Sequence, residues 1–112
     1  MKLVTAIIRP EKTDMIRAAL ESYGVQGMTV SQASGYGRQR GHTQVYRGVD
    51  HTVDLLPKVR LEVLVEDALC DDILDVLVST ANTGNAGDGK IWVSHVEEVI
   101  RVRTGERGMA AV

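Results

Sequence analysis

The chain has 112 residues, a hydrophobic fraction of 44% and a formal net charge of −2, which fits one compact domain over residues 1–112 and argues against disorder. The charge balance argues against a dedicated nucleic-acid-binding protein, because neutralising phosphates requires a basic surface. A single cysteine, no secretory leader pattern and no apolar run of about 20 residues predict a cytoplasmic protein without internal disulfides.

The predicted elements alternate between strands and helices. Apolar and β-branched runs predict strands, helical spacing of apolar residues predicts helices, and glycines mark their ends. The predicted strands are 3–8, 28–34, 59–65, 91–96 and the extended segment 99–103; the predicted helices are 15–23 and 69–80. A long flexible loop is expected over 37–55, and the tail at 105–112 is expected to be frayed.

This order, strand–helix–strand repeated twice, predicts an α+β fold. We expect a ferredoxin-like βαββαβ sandwich, with four antiparallel strands and both helices on one face of the sheet. Leu64, Trp92 and Val30 are predicted to share the other face, which is either solvated or covered by neighbouring subunits. Because these apolar side chains favour cover, we expect an oligomer.

A glycine-rich segment before the last strand is the sharpest local signal. Gly84 to Lys90 matches the G-x-x-x-x-G-K half of a phosphate-binding loop, but Ile91 stands where that motif needs Ser or Thr. The segment also leaves a helix and enters a strand, which is the reverse of a Walker NTPase. Glycines and Lys90 still suit a phosphate, although an ordinary helix-to-strand turn explains the pattern equally well.

Basic side chains elsewhere support an anion site. Arg101 and Arg103 alternate with apolar residues, so both are predicted to leave one face of a strand, where paired guanidinium groups suit phosphate. Arg38, Arg40 and Lys58 give the ends of the long loop a positive character.

Metal binding and catalysis receive weaker support. Gln39 is an uncharged oxygen ligand that suits a cation. His42 and His51 are interpreted as solvated side chains rather than metal ligands. No nucleophile–base pair has useful spacing, so the chain is predicted not to be an enzyme.

Five segments in order across the chain resemble the PII nitrogen-regulatory signal-transduction proteins. The likeness runs from about residue 2 to residue 106. The matching segments are GYGRQRGHT at 35–43, VYRG at 45–48, LPKV at 56–59, TGNAGDGKIW at 83–92 and IRVRTGE at 100–106.

The resemblance implies a homotrimer in which ATP and ADP compete for clefts between subunits, with Mg²⁺ accompanying ATP and 2-oxoglutarate acting as effector. The residues implied for the nucleotide are Thr29, Gly37, Arg38, Gln39, Leu64, Gly87, Asp88, Gly89, Lys90 and, from a neighbouring chain, Arg101 and Arg103. Those implied for 2-oxoglutarate are Gln39, Gly41, Lys58 and Gly87; Gln39 is also the implied metal ligand. Residues 37–55 would contact targets such as an ammonium channel or nitrogen-metabolism enzymes.

Three positions depart from the family pattern. His51 replaces the tyrosine that is nucleotidylated in many members, so modification there is not expected. Asn85 stands where lysine is common, and Ala86 where a larger aliphatic residue is common. Both changes predict weaker 2-oxoglutarate binding.

Alternative functions follow from the same features. An acylphosphatase-type enzyme would need an Arg/Asn pair in a short first loop, and this chain lacks that pair. An RNA-binding module would need exposed aromatic residues on the sheet. A PII-like paralogue that senses adenine nucleotides with another small ligand, and regulates a transporter or carbon or metal metabolism, is the serious alternative.

Overall fold

The computed structural model describes residues 1–37 and 55–112 and consists of one four-stranded sheet with two helices. The strands are β1 (Lys2–Ile8), β2 (Thr29–Gly35), β3 (Leu56–Val65) and β4 (Lys90–His95); the helices are α1 (Thr13–Tyr23) and α2 (Cys70–Ala81). The strand order is β2-β3-β1-β4, and every neighbouring pair is antiparallel. This is the predicted α+β ferredoxin-like fold. The predicted long loop lies outside the described residues except at its ends.

The core lies between one face of the sheet and both helices. Alternate residues of β1 and β3 point toward the helices, and each helix contributes a buried stripe, as the sequence periodicity predicts. The most deeply buried large side chains are Val4, Ile8, Ile16, Leu20, Leu61, Val63, Ile73 and Leu77. Among the helices of the described ranges, none has the length and hydropathy that would allow it to cross a membrane.

The opposite face of the sheet, called the outer face below, carries mixed side chains. Antiparallel register places Thr29, Glu62, Thr5 and Trp92 in one row across the four strands. Thr5 is only 1% exposed, although it lies on this face. The Arg60 guanidinium carbon lies 5.9 Å from the centroid of the Trp92 ring, a cation–π distance. The centre of the outer face is therefore partly covered by its own long side chains.

One predicted member of the outer face belongs to the other side. Val30 is paired with Leu61, a core residue, and directly opposed residues of an antiparallel pair share a face. The prediction for Val30 was therefore wrong by one step of the β2 alternation. Leu64 and Trp92 do lie on the outer face, where they remain 39% and 41% exposed.

The predictions of a strand at 99–103 and of a frayed tail were both wrong. The segment forms a single bridge, Ile100 to Arg107, and no ladder with the sheet. The Gly105 N–H donates to the Arg101 carbonyl at 2.7 Å, and the Arg101 N–H donates to the Glu106 carbonyl at 2.9 Å. The last residues form a 3₁₀ helix, Gly108–Ala111. Backbone groups of this segment are thus satisfied by its own tail, which a pattern of alternation cannot reveal.

Strand β3 begins at Leu56, three residues before its predicted start at Val59. Pro57 lies within it, opposite Ser34 of β2, whereas the pairing of β3 with β1 begins only at Val59 and Ile8. Pro57 therefore lies beyond the β1 ladder, where its missing N–H removes no hydrogen bond to β1. The strand extends past the proline because this part of β3 has one strand neighbour instead of two.

Candidate anion-binding cleft

The segment between α2 and β4, residues 82–89, is called the glycine loop here, and Asp88 holds it closed. The Asp88 carboxylate accepts hydrogen bonds from the hydroxyl of Thr83, from the Thr83 N–H at 2.7 Å and from the Gly84 N–H at 3.0 Å. These bonds, with the Thr83 hydroxyl foremost, hold the pKa of the Asp88 carboxyl well below its usual range. The loop is an ordered ring of hydrogen bonds with an ionised carboxylate at its centre.

Arg9 lies outside the glycine loop and donates hydrogen bonds to it at two points. Its Nε donates to the Asp88 carboxylate at 3.0 Å, and its Nη2 donates to the Ala86 carbonyl at 2.8 Å. Both side chains of the Arg9–Asp88 ion pair are 21% exposed. Sequence reasoning missed Arg9, which directly follows β1. The pairing of Ile7 with Lys90 brings the end of β1 next to the exit of the loop, and that register is not visible in the sequence.

Gly89 is required by a close approach of two backbones. A Cβ atom built on Gly89 would lie 1.7 Å from the Ile7 carbonyl oxygen, far inside van der Waals contact. Its φ of +103° also lies in the region that side chains other than glycine disfavour. The glycine loop therefore meets β1 at a point where no side chain fits.

Lys58 links the glycine loop to the start of β3. Its Nζ donates to the Gly87 carbonyl at 2.9 Å. Partial burial lowers the pKa of the Lys58 ammonium, and the nearby Arg9 charge lowers it further. Lys58 and Arg9 thus place two positive charges against consecutive carbonyls of one loop. A bound anion would reduce the repulsion between these two charges.

A cleft of about 440 Å³ opens between the glycine loop, β3 and the end of β2. It gathers five of the predicted site residues, Gly37, Lys58, Gly87, Gly89 and Lys90, which come from three separate stretches of the chain. Ile7, Gly35, Tyr36, Ala86 and Trp92 complete its lining. A concave site with two lysines, backbone glycines and aromatic walls suits an anion that also carries an apolar or planar group.

Asp88 differs from the other predicted members of this group. Its carboxylate is engaged by Thr83, Gly84 and Arg9, and it lines a neighbouring cavity rather than the cleft. Any contact of Asp88 with a phosphate must therefore be made by its backbone. The side chain serves to shape the loop.

The remaining predicted residues lie elsewhere. Thr29 stands on β2 opposite Glu62, and Leu64 lines a different cleft of about 300 Å³ beside the end of α1. Leu64 is paired with Leu3 and Lys90 with Ile7, four residues further along β1, a separation of about 13 Å along the strand. Within one chain, Leu64 therefore lines a cleft separate from the one that holds Gly37, Gly87, Gly89 and Lys90.

The two predicted arginines of the C-terminal hairpin also lie outside the 440 Å³ cleft. Arg101 forms an ion pair with Glu106 at 3.0 Å. Arg103 lies in the turn of that hairpin and not in the strand that was predicted for it. Arg38, Gln39, Gly41 and His51 fall outside the described residues, so their predicted roles stay predictions. Across residues 1–37 and 55–112, no group of three or more His, Cys, Asp or Glu is arranged to hold a metal.

Comparison with known proteins places the sequence in a family. The sequence matches the family described as "Nitrogen regulatory protein P-II" over residues 1–106. The chain belongs to this family. Proteins named nitrogen regulatory protein P-II from Rhizobium meliloti and Azospirillum brasilense are 51% and 50% identical to it over 112 residues, covering 100% of each chain. The protein named nitrogen regulatory protein P-II 1 from Escherichia coli K12 is 51% identical over the same length.

Membership in the P-II family confirms the predicted resemblance and gives the chain a regulatory role in nitrogen metabolism. The family is one of regulators, in agreement with the prediction that the chain is not an enzyme. The match ends at residue 106, so it includes Arg101, Arg103 and the glycine loop but not the terminal 3₁₀ helix.

Proposed function

We propose that this P-II family member is a cytoplasmic sensor of ATP, ADP and 2-oxoglutarate that regulates nitrogen-assimilation targets through residues 37–55. The observation that carries the proposal is the 440 Å³ cleft, in which Lys58, Lys90 and the backbone of Gly87 and Gly89 converge. Those groups supply charge and close backbone approach, the two features that recognition of a phosphate or carboxylate requires.

A second copy of the chain is needed to complete the proposed nucleotide site. The family resemblance implies that Thr29 and Leu64 meet the adenine, and neither residue lines the cleft that holds Lys58 and Lys90 in the same chain. A homotrimer would bring the adenine half of one subunit against the phosphate half of the next. Arg101 and Arg103 would then reach the phosphates of the adjacent subunit, where paired guanidinium groups bind phosphate oxygens.

The proposed mechanism is linkage between ligands that share cations. Lys90 and the glycine loop would hold phosphates, Lys58 would bind the far carboxylate of 2-oxoglutarate, and Gln39 would bind Mg²⁺ that accompanies ATP. Several negative charges can share this small space only when all of these cations are present, so binding of the oxo acid depends on ATP and Mg²⁺. Because Gly37 lines the cleft at the base of the 37–55 segment, occupancy would bias the shape presented to a target.

A second candidate is a P-II paralogue that binds adenine nucleotides with a different small ligand. Two residues favour it. Ala86, where a larger aliphatic residue is common, lines the cleft and leaves it wider, and Asn85 removes a positive charge from the glycine loop. Such a protein would regulate a transporter or carbon or metal metabolism.

Calorimetric titration of 2-oxoglutarate tests the proposal. The acid is added to the protein with Mg-ATP, then with ADP alone, and finally without nucleotide. We expect saturable heat only with Mg-ATP, since only that state supplies the extra cation. Nucleotide binding with no response to 2-oxoglutarate would favour the paralogue, and absence of nucleotide binding would overturn both candidates.

A further inference from the structure

Arg9 lies between two parts of the proposed site, yet it is not among the residues assigned to a ligand. Its guanidinium spans the Asp88 carboxylate and the Ala86 carbonyl at 3.0 and 2.8 Å. On the other side of Asp88, Thr83 and Gly84 donate to the same carboxylate. Arg9 therefore completes a clamp that joins the end of β1 to both ends of the glycine loop.

The glycine loop needs such a clamp because of its composition. Gly84, Gly87 and Gly89 have φ values of +83°, +98° and +103°, which glycine adopts readily but among many other conformations. A loop free to sample those conformations must be ordered when a ligand binds, and that ordering weakens the affinity. A clamp that is already formed removes this cost.

The clamp also fixes the direction of two backbone amides. The Ala86 carbonyl is held toward Arg9 and the Gly87 carbonyl toward Lys58. In a planar trans peptide the N–H points opposite to the preceding carbonyl. Holding these carbonyls therefore also fixes the directions of the N–H groups of Gly87 and Asp88, and fixed backbone N–H groups are the donors that a loop offers to an anion.

We propose that Arg9 is a positioning residue for the cleft: through Asp88 and the Ala86 carbonyl, it holds the glycine loop in the conformation that receives an anionic ligand. The inference rests on the proposed function only in taking that ligand to be a nucleotide. The Arg9 charge also acts on Lys58, since both side chains contact neighbouring carbonyls of the loop.

The test compares Mg-ATP affinity among variants by calorimetry. Arg9→Gln removes the clamp and one positive charge, and Arg9→Lys keeps the charge but not the two-point fork. Asp88→Asn removes the partner, and the double variant closes a cycle. Arg17→Gln is the matched control, because Arg17 is an exposed arginine paired with Glu21 on α1. Hydrogen exchange of the Thr83 and Gly84 amides reports the order of the loop without ligand.

We expect Arg9→Gln to weaken Mg-ATP binding by roughly three- to tenfold, the effect of one or two lost hydrogen bonds. Exchange at Thr83 and Gly84 should quicken, and Arg9→Lys should recover part of the affinity. The double variant should be little weaker than Asp88→Asn alone, because both changes break one clamp. Arg17→Gln should bind as the unsubstituted protein does.

Three outcomes would overturn the inference. Unchanged affinity in Arg9→Gln, with the unsubstituted protein still binding Mg-ATP, would remove the positioning role and leave the proposed function intact. Additive losses in the double variant would make Arg9 a direct ligand contact instead. Slow exchange at Thr83 and Gly84 in Arg9→Gln would show that the loop is ordered without the clamp. Failure of the unsubstituted protein to bind any nucleotide would count against the proposed function itself.

Discussion

At the scale of single residues, the glycine loop combines positions that are fixed for different reasons. Gly89 is fixed by a backbone contact, Asp88 by hydrogen bonds, and Ala86 by its place in the cleft wall. Each reason predicts a distinct experimental result.

Gly89→Ala is expected to be severely destabilising. The added methyl group would overlap the Ile7 carbonyl, and the residue would keep a positive φ, so we expect a loss of about 2–4 kcal/mol in the free energy of unfolding. Gly84→Ala is the matched control. Gly84 also has a positive φ but nothing within 4 Å of its Cβ position, so it should lose only about 1 kcal/mol. Urea unfolding at equal protomer concentration measures both, and equal losses would contradict the backbone contact.

The ionised Asp88 makes the loop sensitive to acid. Its folded pKa lies below the unfolded value of about 3.9, so its contribution to stability is complete above that pH and disappears as the pH falls through the folded pKa. The stability difference between the unsubstituted protein and Asp88→Asn should therefore be constant from pH 5 to pH 8, as rough bounds, and shrink below about pH 4.

Thermal unfolding followed from pH 8 down to about pH 2, below the unfolded pKa of an aspartate, checks this prediction. Asp75→Asn, at an exposed position of α2, serves as the control for loss of one carboxylate. A difference that is as large at the acid end of the range as at neutral pH would show that Asp88 does not act through its ionised form.

Asn85 and Ala86 together predict weak binding of 2-oxoglutarate. The double variant Asn85→Lys, Ala86→Ile restores a charge on the loop and fills the wall that Ala86 leaves open. Each restored contact is worth about 1 kcal/mol, so we expect the dissociation constant with Mg-ATP present to fall by roughly tenfold or more. Calorimetry measures this dissociation constant, and equal affinities of the unsubstituted protein and the double variant would contradict the prediction.

At the scale of elements, each helix packs against the sheet through one narrow row of buried side chains. Two consecutive residues of α2 show where that row ends. Leu77 is fully buried, whereas Val78 is 54% exposed. Leu77→Ala should lower the free energy of unfolding by about 2–5 kcal/mol, because it leaves a cavity in the hydrophobic core. Val78→Ala should change it by about 0.5 kcal/mol or less. Denaturant midpoints distinguish the two, and similar losses would mean that α2 is seated differently.

The C-terminal segment shows why elements cannot be assigned from alternation alone. Ile100 and Val102 alternate with arginines, as in a strand, yet Val102 is 97% exposed and lies in a turn. Alternation identifies a segment able to form a strand. Whether it joins the sheet depends on an available partner, and here residues 105–107 supply that partner locally.

At the scale of the whole molecule, the outer face of the sheet predicts association. Leu64 and Trp92 remain about two-fifths exposed there, and Leu64 and Lys90 line separate clefts of one chain. We expect sedimentation equilibrium to give three times the 12.2 kDa of a single chain. Trp92→Glu, which would bury a charge at the interface, should lower that mass, because an unpaired buried carboxylate is costly. A monomer mass for the unsubstituted protein would contradict the proposed trimer.

The features that could be predicted without a structure are those that depend on short-range pattern in the chain. The period of apolar residues predicted both helices and the four strands of the sheet, and the segments GYGRQRGHT and TGNAGDGKIW indicated the family to which the chain belongs. These predictions were confirmed because local spacing and backbone chemistry impose such features on any chain with the same pattern.

Contacts between residues far apart in the chain could be read from the fold alone. The pairing of β1 with β4 brings Arg9 to Asp88, and the pairing of β2 with β3 places Val30 on the core face. The Asp88 carboxylate proved to be hydrogen-bonded to Thr83, Gly84 and Arg9, and the arginines at 101 and 103 proved to lie in a hairpin. Strand register and loop closure are set by contacts between segments far apart in the chain, and no local pattern encodes them.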